Sequence, residues 1–412
     1  MKAIIKVFIL LISISLLAGC SSVPENNWPQ FRGFNSSGIA AERSRPPIEF
    51  NEKNMLWKIS FLEGQSSPCI WGHYIFMTGF TEDGKQLKMF CIDRKNGTIK
   101  WEEYIPAAGF EDINFVSNPA TATPATDGKR VYYYFEPYGV LCYDFKGKLQ
   151  WKLPLPEPEL RHEMGTSLIV ADEVVILNCF GDLNDPRLLA INKYDGSNAW
   201  VYSIPEKEDY HGDSYPTPVR YKDQIIIYTS EELAGYNILT GQQVWRFVIG
   251  IKDIVCTPVI GNDILYTAAY STDTLKQGIK AIKLGGQGDV SSTNLLWSNP
   301  ELPSHVSSPL LYNNHYYIIR DGGILSCFNA ENGKLIYQEQ LEATGAYFSS
   351  PIAANGRIYI TSKSGIVTVI EAGDHLNILA RDDFGDIIAA TPAIVDDIFY
   401  IRTSNSLCAF GE

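Results

Sequence analysis

The sequence predicts an all-β protein, an eight-bladed β-propeller of four-stranded antiparallel blades, and three observations predict it. First, short runs of Val, Ile, Tyr and Phe alternate with polar residues and stop at Gly, Asn, Asp or Pro. That is the pattern of many half-buried strands. Second, a small residue followed by Pro recurs ahead of a strand, at Ser67-Pro68, Thr123-Pro124, Thr217-Pro218, Thr257-Pro258, Ser308-Pro309, Ser350-Pro351 and Thr391-Pro392; Ser167-Leu168 fills the one gap without the Pro. The spacing averages about 46 residues per unit, the length of a four-stranded propeller blade. Third, the last unit stops at Leu407-Cys408-Ala409-Phe410 without a fourth strand, while a spare strand, Leu56-Trp57-Lys58-Ile59, stands ahead of the first unit. Pairing the N-terminal strand with the C-terminal blade closes the ring and removes the open sheet edges between the termini.

Each unit follows one plan. Pro suits the first residue of a strand, where no ladder donor is needed. A polar turn such as Asp127-Gly128 or Asn355-Gly356 leads into an aromatic strand such as Val131-Tyr132-Tyr133-Tyr134. A third strand ends in Asp or Asn, then a Gly turn leads to a fourth strand with Trp: Cys91-Ile92-Asp93, Asn96-Gly97 and Trp101 in the first unit, Ala190-Ile191-Asn192, Asp195-Gly196 and Trp200 in the third. Asn-Gly and Asp-Gly supply the positive φ that tight hairpins require. Cys91, Cys142, Cys327 and Cys408 share one place in the third strand, where other units have Ala190, Gly235, Ala281 and Val369. That place wants a small apolar side chain, so the thiols are expected free and buried, too far apart to bridge.

The N-terminus reads as an address. Lys2 and Lys6 precede an apolar run, Ile9 to Leu17, too short to span a bilayer and suited to a signal-peptide core. It ends in Leu17-Ala18-Gly19-Cys20, which resembles the lipobox of bacterial lipoproteins, with Cys20 as the lipidated residue. The absence of Asp after Cys20 favours the outer membrane by the same resemblance. The expected organisation is a signal peptide at 1–19, a lipidated tether and leader at 20–54, and the propeller at 55–412.

The Gly-x-x-x-Trp segments resemble the tryptophan-docking motif of propellers similar to those that bind pyrroloquinoline quinone (PQQ). The resemblance runs over roughly 55–410 and implies that Trp57, Trp101, Trp151, Trp200, Trp245 and Trp297 pack between blades. The sixth unit has Tyr337 there and the seventh has no aromatic. Upstream, Trp28-Pro29-Gln30-Phe31-Arg32-Gly33 resembles the leader of exported PQQ-like proteins and is expected to clasp the propeller. Anchor, length and blade number together are similar to the outer-membrane assembly factor BamB family. That resemblance implies a non-catalytic scaffold, lipid-anchored and monomeric, presenting a propeller face to a protein partner in the cell envelope.

For chemistry, the loops entering the innermost strands gather at the channel mouth. Glu63, Glu163, Asp213 and Asp253 stand five residues before the motif Pro or its equivalent, Asp386 six before, with His162, His211, His305 and Tyr347 in the same loops. Oxygen ligands of this kind suit Ca²⁺ and imidazoles suit a metal or proton transfer. These nine are the candidate ligand-binding residues; no catalytic set is assigned, and no cofactor is required. Two alternatives stay open: a PQQ- and Ca²⁺-dependent dehydrogenase, and a lipoprotein that binds carbohydrate or peptide through face-loop Tyr and Trp. The chain has no adjacent Cys-Cys pair, no Cys-x-x-Cys, no Gly-x-Ser-x-Gly and no His-Glu-x-x-His. A formal net charge of −13 argues against nucleic acid as a partner.

Overall fold

Strand pairing in the computed structural model forms eight separate sheets, each built on four antiparallel strands that run from the channel outward. It describes residues 26–107, 118–136, 138–159, 165–204, 214–229, 232–249, 254–269, 278–300 and 305–412. The first blade shows the plan: Cys69–Trp71 innermost, then Tyr74–Phe80, Gln86–Asp93 and Ile99–Pro106. Its second strand is buried at nearly every position and its fourth is mostly exposed. Middle strands pack on a neighbouring blade from both faces, which is why they read as continuous apolar runs rather than alternating ones.

The eighth blade is assembled from both ends of the chain. Ala393–Val395, Ile398–Arg402 and Ser406–Phe410 are followed outward by Met55–Ser60, in a register that sets Trp57 opposite Ala409 and Ile59 opposite Leu407. Ring closure by the N-terminal strand is therefore present as the sequence predicts.

The small residue of the third strand sits opposite the aromatic of the fourth: Cys91 faces Trp101, Cys142 faces Trp151, Ala190 faces Trp200 and Cys327 faces Tyr337. Each pair borders a register shift that turns the outer strand toward the next blade. The seven described cysteines are free and buried.

The tryptophans join blades by one repeated contact. The indole N–H of Trp57 donates to the Arg94 carbonyl (3.0 Å), Trp101 to Phe145 (3.0 Å), Trp151 to Lys193 (3.1 Å), Trp200 to Ile238 (2.8 Å) and Trp297 to Ala330 (3.0 Å). In each case the acceptor lies in the next blade, beside a Gly whose missing Cβ makes room for the ring. At Gly196, with φ +76°, a Cβ would stand 2.6 Å from the Trp151 ring. Glycine is thus required there twice over, by its backbone and by the close approach.

Trp245 departs from the expected role. Its indole donates to Gln224 of its own blade (2.8 Å) and its ring covers Gly235 of that blade. The insertion before Trp297 takes over the joint. Gly288–Asp289 adds to Gln243–Val248 as a parallel fifth strand, Asp289 pairs with Arg246, and Val290 joins the core around Trp245.

The leader belongs to the fold. Trp28 pairs with Ile70 of the first innermost strand by two backbone hydrogen bonds of 2.8 and 2.7 Å, and the Pro29 carbonyl accepts from Thr126 of the second blade. Gly38 and Ala40 bracket Ala353 of the seventh blade in the same way. Innermost strands otherwise present unpaired backbone to the channel, and the leader satisfies part of it. Trp28 is fully buried, while Phe31 of the same motif is half-buried. Farther on, Phe50 wedges between the seventh and eighth blades against Tyr359, Phe399, Phe410 and Phe384. That joint has no docking Trp.

Candidate functional site

The channel wall is organised by the residue before each motif Pro. Ser67 N–H donates to the Thr123 hydroxyl, Thr123 to Ser167, Ser167 to Thr217, Thr217 to Thr257, Thr257 to Ser308, Ser308 to Ser350 and Ser350 to Thr391, at 3.0 to 3.1 Å throughout. All eight residues are buried. The repeat therefore carries a belt of hydroxyls, seven of which, from Thr123 to Thr391, accept the backbone N–H of the blade before. A buried N–H left without its acceptor costs about 1–3 kcal/mol. Thr217→Val keeps the shape and removes the hydroxyl that Ser167 uses, so it is expected to destabilise the fold by about that amount. Equal denaturant midpoints for the variant and the parent would contradict the belt.

Two arginines brace the inner part of the ring, both fully buried and both donating to carbonyls. Arg402 in the eighth blade donates to the carbonyls of Ser66 and Thr78 and to the Ser66 hydroxyl from one nitrogen, and to the Leu62 carbonyl from another. It also lies over the Phe61 ring, 5.2 Å from its centroid. Burial pushes its pKa down to about 9, against the opposing pull of Glu63. These contacts clamp the closing blade to the first. Arg32 of the leader donates to the Pro309 carbonyl (2.6 Å), and burial lowers its pKa to about 10.

At the mouth, the nine candidate ligand residues divide. His162, Glu163, His211, Asp213 and Asp253 lie outside the described residues, as does Cys20. Glu63 and His305 are exposed. Asp386 braces the turn between Ile398–Arg402 and Ser406–Phe410: its carboxylate accepts from the Thr403 hydroxyl (2.6 Å) and from the Asn405 backbone N–H (3.1 Å) and side chain (3.2 Å). Tyr347, expected at the mouth, is instead a core residue. It is buried, and its hydroxyl donates to the Ala343 carbonyl at 2.6 Å. Its ring completes an apolar cluster with Leu310, Tyr317 and Ile358, which is what a bulky aromatic ahead of an innermost strand favours. Among the described residues no three His, Cys, Asp or Glu side chains gather closely enough to hold a metal ion.

A family model described as outer membrane protein assembly factor BamB matches residues 91–338, more than half of the chain. The chain belongs to the BamB family. It is 26% identical to BamB of Escherichia coli K12 over 223 residues, 52% of this chain and 51% of that protein. It is 23% identical to BamB of Moranella endobia over 284 residues, 59% of this chain and 70% of that one. The chain spans about half the length of the first curated relatives it matches. Among solved structures, BamB of Moraxella catarrhalis superposes with a TM-score of 0.62 at 14% identity, covering 87% of this chain and 97% of that one. A europium-containing methanol dehydrogenase superposes at 0.69 and 10% identity, covering 95% and 99%. At such identities the likeness is one of fold, shared by BamB proteins and dehydrogenases alike.

Proposed function

We propose that this chain is a non-catalytic scaffold lipoprotein of the outer membrane, anchored through Cys20, that presents a propeller face to a protein partner in β-barrel assembly. The observation that carries the reading is the use of the channel. Its wall hydroxyls are committed to the inter-blade belt, and its own leader occupies the inner edges of blades one, two and seven. The polar groups that a channel enzyme would turn toward a substrate are here spent on holding blades together, which leaves the faces for recognition. Membership of the BamB family supports the same reading.

Two measurements test it. Crosslinking in intact envelopes, followed by identification of the captured proteins, is expected to recover a component of the β-barrel assembly machinery. Thermal unfolding of a soluble form begun after Cys20 is expected to show no shift with PQQ and Ca²⁺. A ligand at a hundred times its dissociation constant adds about 2.7 kcal/mol, so real binding would be visible. A saturable shift that a chelator abolishes would overturn the scaffold reading in favour of a dehydrogenase.

A further inference from the structure

We infer that the face of the propeller sealed by the leader is held toward the lipid surface, and that the opposite face, where the loops enter the innermost strands, points away from it. The inference rests on the lipoprotein reading above and adds an orientation to it. The leader leaves the fold at a defined place. Asn27 accepts the Gly72 backbone N–H through its side chain (2.8 Å), and Gly72 lies in the turn between Cys69–Trp71 and Tyr74–Phe80. The side chain of Asn26 is bound by Arg43 on the same part of the leader (3.0 Å). The exit is therefore on the face that carries the turns after the innermost strands.

Two lengths decide which face can meet the membrane. Residues 20–25 connect a lipidated Cys20 to Asn26 and reach at most about 20 Å when fully extended. Tyr74–Phe80 rises from the exit turn to the opposite face; its six residue steps alone span about 20 Å, and the turns at its two ends make the blade taller than that. A tether shorter than the blade is tall cannot let the far face rest on the bilayer while Trp28 stays paired with Ile70. Those two backbone hydrogen bonds and the buried indole hold the exit point in place.

The test uses the full-length lipidated protein in vesicles of phosphatidylethanolamine and phosphatidylglycerol with an acceptor dye on the headgroups. Lys95 is exposed in the turn after Gln86–Asp93, on the leader-sealed face; Asp83 is exposed in the hairpin before that strand, on the opposite face of the same blade. Lys95→Cys and Asp83→Cys each add one accessible thiol for a donor dye, since the seven described native thiols are buried. Energy transfer to the headgroups is expected to be high from position 95 and largely lost at position 83. Equal transfer from both, or higher transfer from position 83, would overturn the orientation while leaving the anchor standing. Failure of the protein to float with the vesicles would overturn the lipoprotein reading, and the orientation with it.

Discussion

Above about pH 9 the protein is expected to lose stability steeply; its buried thiols act first, and buried tyrosines such as Tyr143, Tyr347 and Tyr359, raised by burial to about 12, add to the loss above pH 10. Burial pushes Cys91, Cys179 and Cys256 up from the ordinary value of 9.0 to about 12, and Cys408 to about 11. Cys69 and Cys142 are raised in the same direction by the same cause. Above pH 9 the unfolded chain releases these protons and the folded chain keeps them, so the folded state binds more protons and stability falls as pH rises. The contribution is fully present below the ordinary thiol value and is lost as pH climbs through the 9 to 12 window. Each group removes up to about 1.4 kcal/mol per pH unit, and several titrate together. Denaturant midpoints at half-unit steps from pH 8 to 11 measure the slope. Cys91→Ala combined with Cys408→Ala is expected to make it shallower by the share of those two groups, since alanine already fills that place in the third blade at Ala190. A flat profile to pH 10.5, or rapid reaction of the native protein with a thiol reagent, would sink this account.

Phe50→Ala is expected to cost about 3–5 kcal/mol, the usual range for emptying a buried phenylalanine site. Phe50 touches four rings from two blades, with centroids from 4.6 Å at Phe399 to 6.4 Å at Tyr359, and its backbone N–H donates to the Asp382 carboxylate (3.1 Å). Substitution leaves a void at the one joint where the leader substitutes for a docking Trp, and neither blade can move inward without breaking its own ladder. Phe34→Ala is the matched control: Phe34 belongs to the same leader but is 59% exposed, so its loss is expected to change little. Similar shifts in the two variants would mean that the leader lies on the propeller without wedging it.

The hydroxyl belt shows how far a repeat can be read. The motif stood out because Pro recurs at a fixed place, and Pro explains its own position at a strand start. The residue before it is Ser or Thr in all eight units, a stricter pattern than smallness demands. That was the available signal for a hydrogen-bonding role. Its partner was not legible, because the acceptor lies a whole blade away and depends on how blades are rotated about the axis. Trp245 makes the same point in reverse. It carries the docking motif as fully as Trp200 does, yet it turns into its own blade because the insertion at Gly288–Asp289 covers the edge beside it. Tyr347 is a related case: its neighbourhood in the sequence is that of the mouth loops, while its ring packs in the core with Leu310, Tyr317 and Ile358.

By itself, the sequence determined the eight blades, their four-stranded plan, the closing strand at Met55–Ser60 and the buried free thiols. All of these follow from local periodicity, turn chemistry and a count of repeats, which act within a few tens of residues. Only the tertiary structure decided which blade each Trp joins, that the hydroxyls form one belt, that Arg402 clamps the ring on neutral carbonyls, and that the leader pairs with innermost strands of the first and seventh blades and leaves by one face. Those outcomes depend on contacts between residues as far apart as Arg402 and Leu62, and are set by packing and by the need to satisfy buried polar groups rather than by local pattern.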